Sequence, residues 1–95
     1  MTMEEFKRSL KDMHPPADTS VYLQALWLEA AGKWAQAHHL VDQLETEQAY
    51  WVHAYLHRRE GDLGNAHYWY RRAGRTMQDI APEREWEQLV GYLLG

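Results

Sequence analysis

Apolar residues recur along this chain at three- and four-residue intervals, the spacing of one helical face, and the pattern predicts helices from end to end. Phe6, Leu10 and Met13 stand at i, i+4 and i+7, giving a short amphipathic helix from about Met3 to Asp12 with Lys7, Arg8 and Lys11 on its wet side. Thr2 followed by Glu5 has the form of a capping box at its start. His14-Pro15-Pro16 closes this first segment, residues 1–14, because the residue before a proline is driven out of helical geometry and proline lacks the donor that the ladder needs.

The stripe resumes after Asp18, Thr19 and Ser20, three good N-caps. Leu23, Leu26, Trp27 and Ala30, widened by Val21, Ala25 and Leu28, predict a helix to about Ala31 that packs on more than one side. Gly32 stops it, and Trp34, Ala37, His38, Val41 and Leu44 mark one face of a second helix, so residues 18–45 read as a helical hairpin. Thr46 or Glu47 leads into another helix through Tyr50 and Leu56 to Glu60. Gly61 and Asp62 then act as stop and next N-cap, and Leu63 to Ala73 follows, so residues 46–74 are a second hairpin. Residues 75–81 read as irregular. Pro82 opens a last helix, 82–94, whose Trp86, Leu89, Val90 and Leu93 form a stripe and whose Glu83, Glu85 and Glu87 suit the helix dipole; it reads as a cap over an exposed end.

The two hairpins repeat each other. Shifted by 29 residues, Ala25, Gly32, Ala37, Val41 and Leu44 fall on Ala54, Gly61, Ala66, Tyr70 and Ala73. One small residue per helix lets the pair approach closely, and larger groups fill the space around it. Over residues 19–73 this resembles the tetratricopeptide repeat, whose hairpins carry a small residue on the first helix, a glycine near the turn, and alanine, aromatic and small residues on the second. The period departs from the family's 34, its proline after the second helix is missing, and its tyrosine near the end of the first helix is Leu28 in one unit and His57 in the other. The resemblance implies an all-α fold of antiparallel hairpins in a right-handed superhelix. Two units are fewer than such arrays need, so the flanking helices, or a second copy in a homodimer, must cover their apolar faces.

Composition narrows the function classes. Ninety-five residues make one domain at most. Without cysteine, disulfides and thiolate metal sites are excluded, which agrees with a cytoplasmic location. The acidic start of MTMEEFKRSLKDM argues against a secretory signal, and no stretch reaches the length of a membrane span. The net charge of −4 divides as −4 over residues 1–52, +3 over 53–75 and −3 over 76–95. Phosphate binding favours a positive total, so nucleic acid is disfavoured, even with Tyr68-Trp69-Tyr70-Arg71-Arg72 mixing rings and cations. The basic middle calls instead for acidic protein partners or the chain's own acidic ends.

The family resemblance implies a concave surface lined by the first helices of the hairpins. By helical spacing that face holds Tyr22, Leu26 and Glu29 from the first unit and Trp51, Tyr55, Arg58 and Arg59 from the second. Rings beside guanidiniums suit a protein or peptide with acidic groups or a C-terminal carboxylate, in a non-catalytic recognition or self-association module that needs no cofactor. Two other readings stand beside it: Trp51 and Tyr55 are core, or the face is covered by Phe6, Leu10 and Met13. The opposing class is a metal-binding or metal-dependent hydrolytic protein. His53 and His57 are i, i+4, the spacing that brings two imidazoles to one ion, with His67 on the partner helix as third ligand. Ala54 stands where the hydrolytic HExxH motif has glutamate, so no catalytic residue is assigned.

Overall fold

The computed structural model describes all 95 residues and contains six helices and no strands. They are α1 (Met3–Ser9), α2 (Val21–Ala30), α3 (Trp34–Val41), α4 (Glu47–Arg59), α5 (Leu63–Arg72) and α6 (Pro82–Leu94). Helix starts follow the predicted chemistry. Thr2 and Glu5 close the capping box, and the side chains of Ser20, Thr46 and Asp62 accept from the amides of Leu23, Ala49 and Asn65. The first and third helices end a few residues earlier than their apolar stripes suggested.

The α2–α3 and α4–α5 hairpins turn at Gly32 and Gly61, with φ of 82° and 84°. In each, the glycine N–H and the next N–H bond back to carbonyls of the preceding helix: Gly32 to Glu29 and Lys33 to Leu28, Gly61 to Arg58 and Asp62 to His57. A Cβ at either glycine would meet nothing within 4 Å, so the left-handed backbone alone demands glycine there. The small residues paired by the repeat, Ala25 and Ala37, Ala54 and Ala66, are all fully buried.

α4 is the hub. Every residue from Trp51 to His57 is buried, and α4 packs on α2, α3, α5 and α6. α6 does not sit on an end of the stack, as its sequence suggested. It lies against α2 and α4, the first helices of the two hairpins, and α1 packs on α6 in turn through Phe6, whose ring centroid is 5.8 Å from that of Trp86. The radius of gyration, 12.3 Å, matches the roughly 12 Å of a compact chain of this length rather than an extended solenoid. No helix is long and apolar enough to cross a membrane.

Candidate metal centre

α4 presents two stripes on opposite sides. Trp51, Tyr55 and Arg58 form one, and His53, His57 and Glu60 form another about 200° around the helix at 100° per residue. The first stripe is closed by the chain's own α6. The Glu85 carboxylate, fully buried, accepts from Trp51 Nε1 at 3.0 Å, Arg58 Nη1 at 2.9 Å and Tyr70 Oη at 2.7 Å. Arg58 also donates to the Ile80 carbonyl, and Trp86 Nε1 donates to the Leu26 carbonyl. Burial, with the Glu85 carboxylate beside it, pushes the Tyr70 hydroxyl far above the ordinary phenol range.

The residues predicted to line a concave binding face are therefore distributed as follows. Leu26, Trp51 and Tyr55 are buried, Tyr55 donating to Glu29 at 2.9 Å. Tyr22 pairs with the Thr46 hydroxyl, and Arg59 reaches Glu29 and Glu83. The acidic partner expected for Arg58 and Arg59 is supplied by α6 itself, and it is α6, not the Phe6, Leu10 and Met13 stripe, that covers most of the face; Met13 is exposed. What stays open is a cleft of about 760 Å³ that includes Leu10, Trp34, Tyr55 and Trp86, rimmed by the paired charges Lys7 and Glu87, Arg59 and Glu83. Arg72 and Arg75 do not pair with α6 acids. They lie over the rings of Tyr50 at 4.5 Å and Trp51 at 3.5 Å.

The second stripe of α4 meets α3. His38 Nε2 lies 3.0 Å from His53 Nε2, one of the two rings donating, and one ring nitrogen of each of His38, His53 and His57 lies within 4.8 Å of the others. His57 Nδ1 donates to Glu60 Oε1 at 2.6 Å, which leaves Nε2 as its free ligand atom, and Asp42 Oδ2 stands 4.0 Å from His38 Nδ1. A carboxylate on the outer nitrogen, as Glu60 is for His57, orients a metal-ligating histidine, whereas Asp42 lies beyond hydrogen-bond distance of His38. Indoles fix the ring faces: Trp34 stacks on His38 with centroids 4.9 Å apart and Trp69 on His53 at 3.9 Å.

His67, expected as the third ligand, is exposed on α5 and outside this cluster, and His38 takes its place. The signal was present in the repeat. His38 and His67 are equivalent under the 29-residue shift. α4 meets α3, the second helix of the preceding hairpin, with its histidine stripe, so His38 faces His53, whereas His67 on α5 is exposed.

Burial, reinforced by the neighbouring His38 and His57, lowers the pKa of His53 from 6.5 to about 4 and moves that of His38 down as well, against the opposing pull of Asp42. In the metal-free protein both His38 and His53 are thus held toward the neutral form, the form that ligates metals. A histidine whose pKa is lower folded than unfolded binds fewer protons in the folded state, so its contribution to stability is complete above pH 6.5 and is lost as pH falls toward about 4. We expect the unfolding free energy of metal-free protein to drop across that window and the drop to shrink in His53→Asn. Equal pH slopes in chemical denaturation of the two proteins would contradict this assignment.

Comparison of the chain with known protein-family models, curated proteins and solved structures gives no match.

Proposed function

We propose that this chain binds a first-row transition-metal ion, zinc being the simplest case, through His38, His53 and His57. One observation carries the reading: ring nitrogens from three histidines on two helices converge within 4.8 Å. Tetrahedral zinc with imidazole bonds of 2.0–2.1 Å sets its nitrogens about 3.3 Å apart, so loading the site asks for side-chain shifts of an ångström or so, not a rearranged fold. Neutral imidazoles, one of them backed by a hydrogen-bonded carboxylate, suit zinc, copper or nickel better than calcium or magnesium, which prefer oxygen donors.

The scaffold, in this reading, is a shortened tetratricopeptide-like array. The 29-residue correspondence and the burial of its small residues support that description. α1 and α6 then do the work that further repeats do in longer arrays. Isothermal titration of protein purified without a histidine tag tests the function. The expected result is one Zn²⁺ per chain, with affinity lowered more than about 100-fold in His38→Ala, beyond the usual effect of losing an outer-shell partner, and unchanged in His67→Ala. Retained affinity in His38→Ala sinks the proposal.

The cleft beside α6 favours a second reading. Its half-buried Leu10 and Trp34 suit an apolar protein segment, whose acidic group would take the place of Glu83 on Arg59.

A further inference from the structure

Resting on the metal reading above, we infer that an ion held by His38, His53 and His57 keeps one coordination position for an exchangeable small anion, such as hydroxide or azide, instead of being closed by a fourth side chain. Structural zinc sites are almost always completed by four protein donors, whereas three donors leave a position to water or another ligand. The donor inventory here stops at three. The chain has no cysteine, and its remaining histidines, His14, His39 and His67, are exposed and outside the cluster.

The nearby carboxylates sit on the wrong edge of the rings to complete the set. Glu60 is bonded to Nδ1 of His57, and Asp42 faces Nδ1 of His38. The two nitrogens of an imidazole point to different edges, so a carboxylate on Nδ1 orients the ring without reaching an ion on Nε2. The hydrogen bond between the Nε2 atoms of His38 and His53 marks the edge on which the ion belongs.

Access, size and charge define the ligand. His53 and His57 are buried, but the His38 side chain is 27% exposed, so solution reaches the ion past His38. Trp34 and Trp69 cover ring faces, and none of the three principal clefts is lined by His38, His53 or His57, so the approach past His38 suits a small ligand. Three neutral imidazoles leave the ion's own double charge as the largest local charge, which favours an anion. Binding is simple exchange: the anion enters as bound water leaves, with no redox change.

Cobalt(II) substitution tests this on the full chain, because the visible bands of the ion report directly on its coordination. The expected result is a set of bands on loading one Co²⁺ per chain, followed by a saturable shift on titration with sodium azide at one azide per cobalt. Bands that appear on loading and stay unchanged through excess azide overturn the exchangeable position while leaving the three-histidine site standing. If no bands appear on adding Co²⁺, and Zn²⁺ likewise gives no titration heat, the site itself falls and this inference with it.

Discussion

Replacing Glu85 with alanine is expected to lower the unfolding free energy by about 3–5 kcal/mol, the range for removing one member of a buried ion pair. The carboxylate is fully buried and answers three donors at once: the Arg58 guanidinium, the Trp51 indole and the Tyr70 hydroxyl. Alanine would leave a guanidinium with little solvent, its side chain being only 11% exposed, and two polar groups without partners. Domains of this size are stable by roughly 5–15 kcal/mol, so the variant loses a large fraction of the total. Urea denaturation of wild type and Glu85→Ala, with Glu85→Gln as an intermediate that keeps hydrogen-bonding capacity, gives the comparison. A loss below about 1 kcal/mol would show that α6 is held by its apolar stripe alone, through Trp86, Leu89 and Val90.

Phe6→Ala is expected to cost about 3–5 kcal/mol, the range for removing a large ring from a closed core site. α1 has seven residues, too few to hold helical structure alone in water. It stays folded because Phe6 is wholly buried against Trp86 and because Ser9 accepts from the indole nitrogen of Trp27. With the ring gone, Trp86 loses cover. Amide exchange should then rise across residues 3–10 before the rest of the chain opens, together with a lower denaturation midpoint. Wild-type exchange protection in α1 of the variant would contradict this account of its docking.

Much of the architecture was legible because local rules wrote it. The capping box at Thr2, the caps at Ser20, Thr46 and Asp62, and the glycine stops at positions 32 and 61 depend on residues within a few positions of one another. The repeat was legible for a similar reason, since close helix approach leaves small residues at fixed spacing. The place of α6 was not. Its stripe showed that one face must be buried, but an amphipathic helix does not name the surface that receives it. That choice was made by Glu85 meeting Arg58, 27 positions away, and by Trp86 reaching the Leu26 carbonyl, 60 positions away.

The candidate site divides in the same way. By itself the sequence determined the His53 and His57 pair, because i, i+4 spacing on one helix fixes two imidazoles on one side whatever surrounds them. It also fixed the aromatic and arginine stripe on the opposite side of α4. Only the tertiary structure decided which stripe is closed and which third histidine joins the pair. α6 carries its own carboxylates onto Trp51 and Arg58, while stacking the first hairpin on the second brings His38 to His53 and leaves its repeat equivalent, His67, facing outward. The physical reason is that helical periodicity orients side chains about one axis, whereas the meeting of two axes is settled by packing and pairing over the whole chain.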